Sequence, residues 1–207
     1  MIIEKTRVAG ILLAGGLSRR MGGGDKCLRV LGGETILSRI VRGVLPQVDT
    51  LALNANGDPS RFSSFGLPVI PDVIEGNAGP LSGVLTGMEW VALNYPECEW
   101  LVSFPTDAPF LPENLVESLM FAMKRDGSDV ACARSNGRTH PVIGIWPVQL
   151  RGALRKAMTE EDIRKVDLWT SRYRLSVVDF TSTTFDPFFN TNRPEDLERA
   201  EAILAGT

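Results

Sequence analysis

An unbroken apolar run, Val8-Ala9-Gly10-Ile11-Leu12-Leu13-Ala14, ends abruptly on two glycines, Gly15 and Gly16. A strand with one wet face alternates apolar and polar residues, so a run without alternation must be covered on both faces. That places it inside a parallel sheet with helices packed on either side. Further short strand-type runs recur at 50–53, 68–70, 100–104, 129–133, 142–146 and 175–178. Between and around them, helical patterns occupy 35–45, 80–94, 113–124, 149–158, 162–171 and 194–204. Ile36, Leu37, Ile40, Val41 and Val44 form the apolar face of the first helix, and Pro46 closes it. Pro194 opens the last, with acidic residues behind it that favour a helix N-terminus. The alternation predicts a three-layer α/β/α sandwich around a Rossmann-like, mainly parallel sheet. No repeat, low-complexity tract or linker divides the chain, so residues 1–207 are expected to form one domain.

Composition narrows the ligands. With 43% hydrophobic residues in 207 the chain can fill one core. Its 22 basic and 25 acidic residues leave a net charge of -3, and its isoelectric point lies near 5.3. No basic field exists to hold a nucleic acid, so any phosphate recognition must be local. The first residues lack the basic-then-apolar order of a signal peptide, and no apolar run reaches the roughly 18 residues of a membrane span. A soluble, cytoplasmic protein is expected. Cys27, Cys98 and Cys132 are odd in number and widely spaced. They read as reduced thiols, neither a disulfide framework nor a zinc site.

In open α/β sheets ligands bind beyond the carboxyl ends of the strands. The loop after the first strand holds Gly15, Gly16, Gly22, Gly23 and Gly24 together with Arg19, Arg20 and Lys26. Glycines let backbone N–H groups approach an anion, and the cations offset the charge of a triphosphate. A solvated surface turn needs neither in such density. Two other phosphate loops are excluded. Lys26 is flanked by Asp25 and Cys27, which breaks the Gly-Lys-Ser/Thr of a Walker loop. Gly22-x-Gly24 runs on to Cys27 where a dinucleotide fingerprint needs its third glycine.

The loop segment Leu13-Ala14-Gly15-Gly16-x-Ser18-x-Arg20-Met21-Gly22-x-x-Asp25-Lys26 resembles the signature of nucleotidyltransferases related to nucleotide-sugar pyrophosphorylases. Asn54-Ala55-Asn56, Gly79-Pro80-Leu81-Ser82-Gly83, Phe104-Pro105-Thr106-Asp107-Ala108-Pro109-Phe110, His140-Pro141 and the segment from Phe189 to Leu197 extend the likeness over nearly the whole chain. Within that superfamily the chain most resembles the molybdenum cofactor guanylyltransferases. The resemblance implies the nucleotide-diphospho-sugar transferase type of fold. It also implies transfer of GMP from GTP to the terminal phosphate of molybdopterin, with release of pyrophosphate and formation of a guanine dinucleotide cofactor. The implied partners are GTP, molybdopterin with or without molybdenum, and molybdoenzyme-assembly proteins, with neither nucleic acid nor membrane.

Residue by residue, the resemblance assigns the nucleotide to Leu13, Ala14, Gly15, Gly16, Lys26, Asn54, Asp72, Gly79, Pro80, Leu81 and Asp107. Arg20, Lys26 and Asp107 take the catalytic roles. Asp107 follows a buried strand on a mount stiffened by Pro105 and Pro109. One fixed carboxylate suits Mg2+, which takes one or two such ligands plus phosphates and waters. From the residues alone Asp107 reads equally as a cap of the helix at 113–124. Through the resemblance it is the Mg2+ ligand, with Asn190 or Asn192 as a second. Asn54 ends one strand and Asp72 follows another, so both project towards the same edge and offer acceptors suited to the N–H groups of guanine. From the residues alone, turn and cap roles serve them as well. Gly79-Pro80-Leu81 reads also as a helix start.

The acceptor side falls on His140, Arg164, Lys165, Asn190 and Asn192. His140 is the single histidine, and general base is the first role to test. It is not needed, because a phosphate monoester loses its second proton near pH ~6 and attacks as a dianion. An oriented turn residue or a substrate contact fits His140 better. Arg164 and Lys165 read either as contacts to the pterin or as solvated cations on an amphipathic helix. Asn192 reads either as a cleft residue or as the cap of the last helix. Three rival functions share parts of this pattern. They are transfer from CTP or to a sugar phosphate, a dinucleotide-dependent oxidoreductase disfavoured by the failed fingerprint, and a nucleotide-binding partner without activity.

Overall fold

The structure, a computed structural model, describes residues 6–14, 25–76, 79–182 and 184–206. In chain order its elements are β1 (Val8–Leu13), β2 (Val30–Leu31), β3 (Glu34–Thr35), α1 (Ile36–Val44), β4 (Thr50–Asn54), β5 (Val69–Ile70) and α2 (Pro80–Asn94). They continue with β6 (Trp100–Pro105), α3 (Leu115–Asp126), β7 (Val130–Ser135), β8 (Arg138–Pro147), α4 (Arg151–Thr159), α5 (Val166–Thr170), β9 (Leu175–Asp179) and α6 (Pro194–Ala205). One seven-stranded sheet runs β5-β4-β1-β6-β8-β7-β9. As its unbroken apolar sequence demands, β1 lies inside the sheet, parallel to β4 on one side and to β6 on the other.

Side chains leave a strand on alternating faces, and the two cores follow that alternation. Val8, Leu12, Leu51, Leu53, Val102 and Phe104 pack with Ile36, Leu37 and Ile40 of α1, Leu115 and Leu119 of α3, and Ala200 of α6. Ala9, Ile11, Ala52 and Leu101 face the other way, onto Leu81, Val84 and Leu85 of α2, Leu154 of α4 and Trp169 of α5. The result is the expected three-layer α/β/α sandwich. Among the described residues no helix is long and apolar enough to cross a membrane. All three cysteines are buried and unpaired.

The structure corrects several expected elements. Among the described residues, β8 is the one strand that runs against both its neighbours. It forms a hairpin with β7 across Asn136 and Gly137, whose φ values of 48° and 74° are those of a tight turn between twisted strands. The strand expected at 142–146 is therefore longer, and its early half holds His140. The helix expected at 162–171 shrinks to α5, and Arg164 precedes it. A 3-10 segment, Pro59–Phe65, fills the crossover between β4 and β5, where no element was expected.

α2 lies close on the sheet because two of its residues have no side chain. A Cβ on Gly87 would meet Leu101 Cδ2 at 2.8 Å and Ile11 Cβ at 3.0 Å. A Cβ on Gly83 would meet Leu13 Cδ2 at 2.6 Å and strike Asn54 Oδ1. The two glycines share one helical face and set the distance between α2 and the ends of β1 and β4. Gly83→Ala is expected to cost about 1–3 kcal/mol by overpacking. Gly43→Ala, in α1 with nothing within 4 Å of the added Cβ, is expected to be neutral or to stabilise by about 0.5 kcal/mol. Thermal unfolding of the two variants checks the contrast, and equal melting temperatures would overturn it.

Candidate functional site

Register brings the site residues to one edge. Leu13 of β1 pairs with Asn54 of β4 and with Pro105 of β6, and Asn54 pairs with Ile70 of β5. Four strands thus end level, and the residues just beyond them form a row. The row is locked by bonds between the strand exits. The Ala14 N–H donates to the Asn54 carbonyl at 2.9 Å, and Thr106 Oγ1 donates to the Leu13 carbonyl at 3.0 Å.

At one end of the row stands Asp72. Asn54 is buried, and its amide donates to Asp72 Oδ1 at 3.0 Å and to the Ile70 carbonyl at 3.1 Å. Asn56 donates from Nδ2 to Asp72 Oδ2 at 2.8 Å, and its Oδ1 accepts from the Asp72 N–H at 2.8 Å. The loop after Asp72 is tied to α2, because the Val73 N–H donates to Thr86 Oγ1 and Ser82 Oγ donates to the Ile74 carbonyl. Asp72 is the partly exposed acceptor of this group. Asn54, the second acceptor of the sequence reading, turns its amide nitrogen onto Asp72 and its Oδ1 towards Gly83.

At the other end stand Lys26 and Asp107. Lys26 opens a 3-10 turn, Lys26–Leu28, and its Nζ donates to Asn192 Oδ1 at 2.9 Å. Asp107 lies in the loop between β6 and α3, and its carbonyl accepts from the N–H and the Oγ1 of Thr191 at 2.8 and 3.1 Å. Burial pushes the Asp107 carboxyl above its ordinary pKa, and the Lys26 ammonium and its own backbone N–H pull it partly back. Among the described residues no side chain donates a hydrogen bond to that carboxylate. A partly buried carboxylate left so fits a hard cation. The described residues hold no cluster of three or more His, Cys, Asp or Glu.

The capping roles open to these residues are now decided. α3 is capped by Asn114, far beyond Asp107, so Asp107 is no cap. α6 is capped by Arg193, and Asp196 Oδ2 accepts from the N–H groups of Asn192 and Arg193 at 2.8 Å each. The Asn192 side chain is left for Lys26. Gly79 caps α2 with Pro80 at its first position, and Leu81 is fully buried in the core. Asn190 is exposed. Gly15, Gly16 and Arg20 lie outside the described residues.

His140 belongs to a different cluster. Ser135 Oγ donates to Asp186 Oδ1 at 2.7 Å and lies 2.8 Å from His140 Nε2. A hydroxyl has one proton, and the carboxylate can only accept, so His140 must carry its proton on Nε2 and give it to Ser135. The imidazole also packs on Phe188 with ring centroids 4.9 Å apart. This cluster anchors the start of the segment that delivers Thr191 and Asn192 to Asp107 and Lys26. It makes His140 an oriented strand residue. Arg164 donates to the Met158 carbonyl and pairs with Asp162. Its own carbonyl lies 3.6 Å from where a Cβ on Gly79 would sit, so the Arg164-Lys165 pair borders the start of α2. Asn56, Thr106, Ser135, Asp186 and Thr191 were not singled out from the sequence. Asn56, Thr106 and Thr191 stand within the quoted motifs, whereas Ser135 and Asp186 carry no such signal.

A groove of about 580 Å3 between α3 and β9, lined among others by Phe121, Val177 and Asp179, contains none of these residues.

The model of the MobA-like NTP transferase domain matches residues 10–173. The chain belongs to that family. It is a nucleotidyltransferase, and the oxidoreductase reading falls away. It is 53% identical over 193 residues to a molybdenum cofactor guanylyltransferase of Rhodopseudomonas palustris (strain BisB5), covering 93% of this chain and 92% of the relative. It is 51% identical over 200 residues to the enzyme of that name from Bradyrhizobium sp. (strain ORS 278), covering 97% and 94%. Among solved structures it resembles molybdopterin-guanine dinucleotide biosynthesis protein A of Archaeoglobus fulgidus. The TM-score is 0.73 at 21% identity, over 96% of this chain and all of the other. The matched region reaches from β1 through α5 and takes in Lys26, Asn54, Asp72 and Asp107.

The histidine cluster makes a testable statement about charge. Burial pulls His140 below its ordinary pKa of 6.5, with Asp186 opposing and Arg138 reinforcing the fall. The native state therefore binds fewer protons than the unfolded chain just below pH ~6.5, and stability present above that value is lost as pH falls towards the lowered midpoint. One imidazole resonance reports the titration directly. Its midpoint is expected below 6.5, and lower still in Asp186→Asn. A midpoint that rises in that variant would overturn the arrangement.

Proposed function

We propose that this chain transfers the GMP group of GTP to the terminal phosphate of molybdopterin and releases pyrophosphate. The single observation that carries this reading is the level ending of β5, β4, β1 and β6. It sets a base-side acceptor, Asp72, and a phosphate-side pair, Lys26 and Asp107, along one row. The names of the curated relatives support guanine and molybdopterin as the two substrates.

In this reading the N–H edge of guanine donates to Asp72, which Asn54 and Asn56 hold in place. The triphosphate runs along the row to Lys26. Asp107 would hold Mg2+, which would supply positive charge to the triphosphate. An oxygen of the acceptor phosphate bonds to the α-phosphorus of GTP, the bond from that phosphorus to the bridging oxygen breaks, and pyrophosphate leaves with the electron pair. The attacking phosphate is a dianion, so no residue need remove a proton. Positioning and charge neutralisation are then the main contributions of the protein. Lys26 supplies charge at a fixed place because Asn192 holds its ammonium. The Arg164-Lys165 pair, His140 and Asn190 are assigned to the acceptor side.

Lys26→Ala and Asp107→Asn are each expected to lower GTP-dependent pyrophosphate release in the presence of molybdopterin by on the order of a hundredfold or more. The fold should survive, since neither side chain belongs to the core. Chelation of divalent cations should abolish the wild-type reaction, and added Mg2+ should restore it. Equal rates with GTP, CTP, ATP and UTP would reject the guanylyl reading, and full activity in either variant would reject the site.

A further inference from the structure

Arg61 stands in the crossover between β4 and β5 with no role assigned above, yet all three nitrogens of its guanidinium donate hydrogen bonds. Its NH1 donates to both carboxylate oxygens of Asp25, at 2.8 and 2.6 Å. Its NH2 donates to the Asn56 carbonyl at 2.6 Å, and its Nε to the Asp58 carbonyl at 2.8 Å. The guanidinium carbon also lies over the buried ring of Phe62, 5.0 Å from its centroid. The backbone around it is prepared. Asp58 caps the 3-10 segment Pro59–Phe65 by accepting from the Ser60 N–H, and Gly57 turns the chain at φ 85°.

Each partner of Arg61 is one step from an end of the site. Asp25 immediately precedes Lys26 and closes the turn that presents it, since its carbonyl accepts from the Leu28 N–H. Asn56 grips Asp72 from both sides, through its Nδ2 and its Oδ1. Lys26, Asp25, Arg61, Asn56 and Asp72 thus form one continuous chain of covalent and hydrogen bonds beside the row of strand ends. A planar fork that binds a carboxylate and two carbonyls at once fixes relative geometry, which a point charge does not do.

We propose that Arg61 is a positioning residue that holds the base-binding end of the site at a fixed distance from Lys26. This rests on the nucleotidyl-transfer reading. A ligand that touches only one end gains nothing from a fixed distance. A ligand that spans both ends gains the ordering that the protein has already done. Arg61 therefore selects for an intact nucleoside triphosphate over its parts.

The test compares Arg61→Ala and Arg61→Lys with the wild type, using GTP, guanosine and inorganic tripolyphosphate as separate probes in titrations with Mg2+. In Arg61→Ala, GTP binding is expected to weaken about tenfold or more, while guanosine and tripolyphosphate each change by less than about threefold. Arg61→Lys keeps the charge beside Asp25 but loses the fork, and should fall between. An equal loss for GTP and either fragment would confine Arg61 to one end and overturn the proposal, as would unchanged GTP binding. Hydrogen exchange without nucleotide gives a second measurement. The amides of Leu28 and Arg29, and that of Asp72 bonded to Asn56, should all exchange faster in Arg61→Ala. Unchanged exchange at either group would also overturn it. Failure of the wild type to bind GTP counts against the proposed function instead, and the exchange result still decides the clamp.

Discussion

Everything at this site depends on the parallel register of β1 with its two neighbours. Parallel strands bonded in register end together, and in a βαβ arrangement they also point the same way. Leu13, Asn54 and Pro105 therefore stop side by side, and the chain leaves all three strands on the same edge of the sheet. Nothing in the local preference of Asp72 or Asp107 would bring them near each other. The backbone hydrogen bonds inside the sheet do so, and the side chains beyond the strands inherit the spacing.

Two glycines translate that sheet geometry into a pocket wall. Without side chains at Gly83 and Gly87, α2 approaches until it touches Ile11, Leu13 and Asn54. Its polar residues Ser82 and Thr86 then reach the loop after Asp72 and tie it down. Core packing and site geometry are here the same contacts. The C-terminal segment closes the other side in the same economical way. Thr191 and Asn192 reach back to Asp107 and Lys26 with three hydrogen bonds.

Much of this was legible in the sequence, and the reasons are physical. β1 could be read because a strand buried on both faces has no alternation to obscure it. The positions of Asp107 and Asn54 followed because the residue after a parallel strand has only one place to be. What escaped was what depends on partners far along the chain. The reversed direction of β8 is set by a two-residue turn, and Asn136-Gly137 is a signal for it that went unread. α5 is shorter than its pattern because the residues before it, Asp162 to Lys165, are held by local bonds and not by a helix. The sequence offers Asn54 as an acceptor but does not show where its amide donates, and a buried amide must satisfy its donors, here on Ile70 and Asp72. Arg61 and Asp186 are ordinary charged residues in loops until the fold shows what they hold.

The bond from Lys26 to Asn192 joins positions 166 residues apart. A chain emerging from the ribosome completes every strand of the sheet, β9 included, before Asn192 has been synthesised. The sheet can therefore form while Lys26 still lacks its partner. Competence at this site is acquired late and from outside the sheet, so a truncation product that looks folded by its secondary structure would still lack the last wall of the cleft.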